Sequence, residues 1–323
     1  MKVPTVTVLV TVKNSKNTIQ KCIKSILALN YPYFKVYITD AYSDDGTFEI
    51  LKKLNKRYPQ KIRLEQIRGN IAVAHNYMIK KTNTKFIAMT DADCVVDNNW
   101  LKNLISGFKS KDIIATTGFC STPKLVNRLQ KLIGIELEDR FRHAPKFVPR
   151  GPTMNLCVKS NYAKKIKFDE RFDVAQETDW GYRLIKFGKM HYVSNAIVYH
   201  YHRPTIKSFL KQNFRYGRTM PLLYLKHKKK STGDHLSKPI MILQEFILSF
   251  LFLFVLISIF YNPLINVVLF FIILLFIIYF IDIFRFTKNP INIGLLIILY
   301  ILRNLAWTIG MFFGIFDLII KKR

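Results

Sequence analysis

Two acids, Asp91 and Asp93, stand two residues apart at the end of an apolar run in "FIAMTDADCVV" (Phe86 to Val96). Carboxylates held at the carboxyl end of a strand offer hard oxygen ligands to Mg²⁺ or Mn²⁺. Such ions bind through one or two carboxylates and complete their shells with substrate phosphates, neutralising a diphosphate as it leaves. The bare tripeptide also suits a solvated turn. Its place after an apolar strand, the fourth of an alternating series, favours the ion. A second group lies in "QETDWGYRLIKFG" (Gln176 to Gly188). Glu177 precedes a helix, where a carboxylate either takes a proton from an attacking hydroxyl or favours the positive end of the helix. Asp179 and Arg183 are four apart and can pair on one face, so Asp179 reads either as a catalytic acid or as half of an ion pair. Trp180, Leu184 and Phe187 predict the buried stripe of that helix, with Gly188 ending it.

The elements that would position these groups alternate. "TVTVLVTV" reads as a strand, and Ile19, Ile23, Ile26 and Leu27 then recur at helical spacing. "KVYITD" is a second strand, followed by the polar turn "AYSDDGT" and a helix bearing Phe48, Leu51 and Leu54. "KIRLEQI", a helix around Ile71, Ala74 and Met78, and "KFIAMTD" complete the series. This rhythm predicts a mostly parallel sheet with helices on both faces. Ligands then bind beyond the carboxyl ends of the strands, where Asp40, Asp91 and Asp93 gather.

The chain has 323 residues and a formal charge of +29, from 50 Lys+Arg against 21 Asp+Glu. Such a surface attracts anions: nucleic acid, acidic lipid head groups or phosphorylated substrates. Four scattered cysteines form no CxxC, which speaks against a zinc site or a disulfide framework and fits a reducing compartment. The alternating, β-branched N-terminus reads as a strand rather than a signal peptide. Near Pro239 the composition changes to long apolar runs, each able to cover a bilayer core that needs about 20 residues. The segments 240–260 and 264–281 form a transmembrane hairpin around Tyr261-Asn262-Pro263. The third, 291–320, carries Arg303, Asn304 and Asp317 and reads as a span, a re-entrant element or a helix packed on the enzyme. Lys226 to Lys230, Arg285 and Lys288 place the flanks on the cytoplasmic side. The terminal Lys-Lys-Arg favours an even number of crossings.

Five motifs in order resemble family 2 glycosyltransferases of the GT-A fold, over about residues 3 to 235. "TVKNSKNTIQKCIKSI" resembles P-x-x-N-E-x-x-x-I-x-x-C-x-x-S-I, and "YITDAYSDDGT" resembles I-V-V-D-D-G-S-x-D-G-T. "RGNIAVAHN" resembles G-x-x-x-A-R-N, "DAD" matches D-x-D, and "QETDWGYRLIKFG" resembles E-D-x-D-L-x-x-R-L-x-x-x-G. Ser15, Ala41 and His75 depart from the usual Glu, Asp and Arg. The resemblance implies an α/β fold: a GT-A, Rossmann-like, mixed and mostly parallel sheet followed by C-terminal transmembrane helices. It assigns donor contacts to Thr11, Asn14, Asp40, Arg68 and Asp91, and an ion to Asp91, Asp93 and His200, chosen over His202. Glu177 aligns with the catalytic acid, beside Asp179. "QNFRYG" resembles Q-x-x-R-W, so Gln212, Arg215 and Tyr216 would meet the acceptor or its phosphate. The same stretch also reads as a basic interfacial helix, with Phe209, Leu210 and Phe214 dipping into lipid and Lys207, Lys211, Arg215 and Arg218 at head groups. "RGPTMNL" (Arg150 to Leu156) falls where the family contacts donor or acceptor.

The expected organisation is a catalytic domain over 1–204, a basic interfacial segment over 205–238 and a transmembrane region over 239–323. The expected function is an inverting glycosyltransferase dependent on Mg²⁺ or Mn²⁺ and integral to the membrane, its catalytic domain cytoplasmic. It would move a sugar from a UDP- or GDP-sugar to a lipid-linked or polysaccharide acceptor. A nucleotidyltransferase of related fold should carry a glycine-rich loop after the first strand, and "TVKNSKN" has no glycine. A basic membrane scaffold or nucleic-acid binder would not need three acids at strand ends, and no RNA-module signature is present. Nucleic acid is therefore not an expected partner.

Overall fold

The computed structural model describes residues 3–230, 232–261 and 264–320. The chain divides into two units, residues 1–126 with 141–202, and residues 127–140 with 203–323.

The first unit is built on one mixed sheet. Its parallel half runs β3 (Ile62–Gln66), β2 (Phe34–Asp40), β1 (Val6–Val12), β4 (Phe86–Asp91). The other half continues through β8 (Leu156–Lys159), β6 (Ile113–Ser121) and β9 (Lys189–His200) to β5 (Cys94–Val96), with the short β7 (Phe147–Val148) also on β9. Val8, Leu9, Val10, Ile38, Ile87 and Met89 are fully buried. Such unbroken apolar runs mark strands covered on both faces, and each large side chain is worth ~1.5–3 kcal/mol of burial.

Right-handed crossovers dictate the covering. From β1 to β2 to β3 the chain steps in one direction, so α1 (Ile19–Leu27) and α2 (Thr47–Arg57) share a face and touch. From β3 to β4 it steps back, which sends α3 (Ile71–Lys81) to the opposite face, where it meets α6 (Ser160–Lys165). α4 (Trp100–Ser106) packs on β9 and β6, and α7 (Gln176–Leu184) supplies Trp180 and Leu184 to the core. Phe187 lies past the end of α7 and is exposed, so the expected stripe stops at Leu184. All four cysteines are free and buried.

The second unit comprises α5 (Arg128–Arg142), most of which belongs here, and α8 (Ile206–Lys226), α9 (Pro239–Ser258), α10 (Ile265–Phe284) and α11 (Pro290–Ile320). The last three are long and apolar enough to cross a membrane. Asn262, Pro263 and residues 321–323 lie outside the described residues, and with them the expected tight turn and the basic terminus. Outward side chains such as Phe250, Phe270 and Ile273 are half exposed, as lipid contact would require. The third apolar segment is one continuous helix of 31 residues.

α8 departs from the expected free interfacial helix. Phe209, Asn213, Gly217, Met220 and Leu223 form a buried stripe, and α8 packs along α11. At Gly310 an added Cβ would lie 2.2 Å from the Phe214 carbonyl oxygen, so this close approach admits only glycine. Phe209 is therefore in a helix–helix core, not in lipid, because α11 covers it. Residues 127–140, expected inside the catalytic domain, group with these helices through a buried Glu136–Arg303 pair at 2.6 Å.

Candidate active site

Strand register assembles the carboxyl edge of the sheet. Thr11 pairs with Asp91 across β1 and β4, and Val12 pairs with Asp40 across β1 and β2. Thr11 is the one position of β1 that is not buried. The loops rising from this edge are strained. Among the described residues, the non-glycine positions with positive φ are Asn14 (50°), Tyr42 (53°) and Ala175 (59°). They follow β1, follow β2 and precede α7. Left-handed backbone costs such residues ~1 kcal/mol each and gathers at functional sites.

Asn14 ties two loops together: its N–H donates to Ser43 Oγ at 2.9 Å, and its Oδ1 accepts from the Asp44 N–H at 3.1 Å. Asp40 has no accessible surface. Its carboxylate accepts from the Ser43 N–H, the Ser43 hydroxyl and Gln66 Nε2. These bonds hold the turn, a structural part that the motif alone did not reveal. Arg68 is exposed and lies over the Tyr42 ring, 5.2 Å from its centroid.

β5 pairs antiparallel with the end of β9, setting Cys94 opposite His200. The Tyr201 N–H donates to the Asp93 carbonyl at 2.9 Å, pinning the turn that carries the acids. His200 Nε2 thus lies 3.5 Å from Asp93 Oδ1. Ligand atoms of Asp93, Cys94 and His200 lie within 4.8 Å of one another. His202 is turned elsewhere, its Nε2 at 3.2 Å from Thr122 Oγ1. Asp91 Oδ1 accepts from Thr153 Oγ1 at 3.4 Å. The geometry brings Asp93 and His200 together with Cys94, a neighbour that spacing did not suggest, while Asp91 lies against Thr153.

Burial, then the Asp93 carboxylate, pushes Asp91 up to about 7, with Glu177 adding to the rise. Burial draws His200 down, but Asp93 outweighs it and lifts the imidazole to about 10. Burial accounts for most of the Asp91 shift, while the His200 shift reflects the negative charge of Asp93, which a cation would also balance. His200 Nδ1 is buried without a hydrogen-bond partner. Two hard carboxylates and one imidazole, that of His200, fit a divalent ion.

Glu177 lies in the first turn of α7, after the left-handed Ala175. Burial raises its pKa, and nearby Arg150 opposes that. Arg150 is itself buried and donates to Thr178 Oγ1 at 3.1 Å. Gly181 permits this approach, since a Cβ there would lie 2.6 Å from that of Arg150. Asp179 is fully buried and accepts from Arg183 Nη2 at 2.6 Å, so the pairing geometry is the one present. Gln212, Arg215 and Tyr216 lie on α8, in the second unit.

Three contributors were not singled out from the sequence. Thr153 and Arg150 belong to "RGPTMNL", whose position was the only signal. Asn155 fixes that loop: it accepts from Trp100 Nε1 at 2.8 Å and donates to the carbonyls of Phe119 and Ala196.

Residues 7–172 match Glycosyl transferase family 2. The chain belongs to this family. Among relatives of this family 2 glycosyltransferase, the dolichyl N-acetyl-α-D-glucosaminyl phosphate 3-β-D-2,3-diacetamido-2,3-dideoxy-β-D-glucuronosyltransferase of Methanococcus voltae is 25% identical over 244 residues. The match covers 68% of this chain and 74% of that protein. Glycosyltransferase AglE of Haloferax volcanii is 23% identical over 227 residues, covering 67% and 72%. Of solved structures, a mannosyltransferase from Pyrobaculum calidifontis, in complex with GDP-Man and Mn²⁺, aligns with a TM-score of 0.56 at 16% identity. It covers 70% of this chain, which spans 64% of the mannosyltransferase. That likeness establishes the GT-A fold of the family 2 glycosyltransferase.

Proposed function

We propose that this enzyme transfers a sugar, with inversion, from a nucleoside-diphosphate donor to a lipid-linked acceptor at the cytoplasmic face of a membrane. The observation that carries the reading is the crowding of Asp91, Asp93 and Glu177 at one sheet edge, with His200 3.5 Å from Asp93. Asp91, Asp93 and His200 would hold Mg²⁺ or Mn²⁺, which when bound would neutralise the diphosphate leaving group. Thr11 and Asn14 border the donor, and Thr153 holds Asp91 in place. Glu177, its basicity raised by burial, accepts the proton of an acceptor hydroxyl as that oxygen attacks the anomeric carbon. The nearby charge of Arg150 limits that rise. Direct displacement on the face opposite the leaving diphosphate inverts the centre.

The acceptor class is supported by the Methanococcus voltae relative, whose name specifies a dolichyl-phosphate-linked sugar, and by three helices apolar enough to span a bilayer. The exposed Lys207, Lys211 and Arg215 on α8 suit phosphate or acidic head groups. Lysines 226 and 228–230 support a cytoplasmic catalytic unit, since basic flanks favour that side.

The test is full-length protein in detergent, supplied with UDP- and GDP-sugars, Mn²⁺ or Mg²⁺ and a polyprenyl-phosphate-linked sugar, with release of nucleoside diphosphate followed. Turnover with one donor, dependent on the ion and lost in Glu177→Gln, is expected. Absence of both binding and turnover across the panel overturns the reading.

A further inference from the structure

Set against I-V-V-D-D-G-S-x-D-G-T, the stretch "YITDAYSDDGT" carries Tyr42 where the pattern has glycine. The reason for a glycine there is visible: the backbone at 42 is left-handed, with φ of 53°. Glycine meets that conformation without strain, and a large aromatic residue does not. The ring is nevertheless not used to fill the core. It is 50% exposed, and Arg68, from the loop after β3, lies over it at 5.2 Å. The stack stands at the carboxyl edge of the sheet, two residues beyond Asp40. Asp40 itself has no accessible surface, and both of its oxygens accept hydrogen bonds from within the turn. Asp40, expected to line the donor pocket, thus also shapes the loop that displays Tyr42.

We propose that Tyr42, backed by Arg68, is a stacking platform for the nucleobase of the donor. The inference rests on the nucleotide-sugar reading above. An aromatic face stacks on any base, whereas a carboxylate selects for particular ring N–H groups. This platform therefore contributes affinity that is tolerant of base identity. Arg68 holds the ring by a cation–π contact and is a positioning residue.

The experiment measures binding of UDP, GDP and ribose 5-diphosphate, each with Mn²⁺, to the full chain in detergent by titration calorimetry. Tyr42→Asn and Tyr42→Gly both suit left-handed backbone, so their melting temperatures should match the parent. Each should weaken UDP and GDP by roughly 5- to 100-fold, the worth of one stacked base. Ribose 5-diphosphate, which lacks the base, should bind equally to parent and variants. Tyr42→Phe should keep parent affinity for all three. Unchanged nucleotide affinity in Tyr42→Asn, or an equal loss for ribose 5-diphosphate, overturns the stacking proposal while leaving the donor reading intact. A parent chain that binds no nucleoside diphosphate overturns the donor reading itself.

Discussion

Around Glu136 in the second unit, buried charges meet partners; at the carboxyl edge of the first unit's sheet, like charges are crowded. Glu136 accepts from Arg140 and Arg303. Arg303 also donates to Gln244 and Asn304 and lies over the Tyr300 ring. Burial pushes Glu136 up, but the two arginines outweigh it and hold it at about 2. Asp91 is driven the other way, to about 7, by burial and Asp93. The same residue types thus serve two ends. Where charge is balanced inside the protein, it joins helices. Where it is left in surplus, it awaits a ligand of opposite sign.

The comparison can be broken in descending order of effect. Arg303→Met leaves Glu136 short of a partner in a buried setting and should destabilise the protein by ~3–5 kcal/mol. The readout is thermal melting in detergent, and a parent-like transition would mean that the balanced cluster is not structural. Asp93→Asn should do the reverse, leaving melting little changed because Asp91 remains to balance His200. Turnover should fall by ~10²- to 10³-fold, as expected when electrostatic stabilisation of a departing group is lost. A stability loss matching that of Arg303→Met would erase the distinction between the two regions.

His75 sharpens the contrast, being buried in the first unit without polar partners yet not crowded by charge. It stacks on Phe168 at 5.0 Å, and both ring nitrogens lack hydrogen bonds. Burial lowers its pKa to about 4. The folded value is below the unfolded one, so the unfolded state takes the proton first. The stabilisation is complete above about pH 6.5 and is lost as pH falls towards 4, by up to ~3 kcal/mol. In His75→Phe that part of the acid sensitivity should vanish, which paired pH–melting curves would reveal. Superimposable slopes for parent and variant would count against a neutral buried imidazole.

Much of the fold was legible because it is written in local periods. Ile19, Ile23 and Ile26 repeat at helical spacing and bury one face of α1, and the β-branched runs around Val8 and Ile38 mark covered strands. The Asp91-Ala92-Asp93 turn was found because an acid pair ending an apolar strand has few structural uses. Phe209 was misread because its helix period is the same whether lipid or α11 covers it. That Ser43 and Gln66 fold back on Asp40 could not be read from its motif, which carries no record of either contact. Arg150 and Asn155 were not singled out, since a loop's hydrogen bonds have no period to detect.

Taken alone, then, the order of residues determined which segments are strands, helices and apolar spans, for those depend on neighbours a few positions away. It also determined that three acids would end strands in a parallel series. Only the tertiary structure decided that Asp93 meets His200, that Tyr42 stands out under Arg68 while Asp40 is sealed, and that Glu136 pairs with Arg303. Each of these joins residues far apart along the chain, and such partners are chosen by strand register and helix packing rather than by spacing.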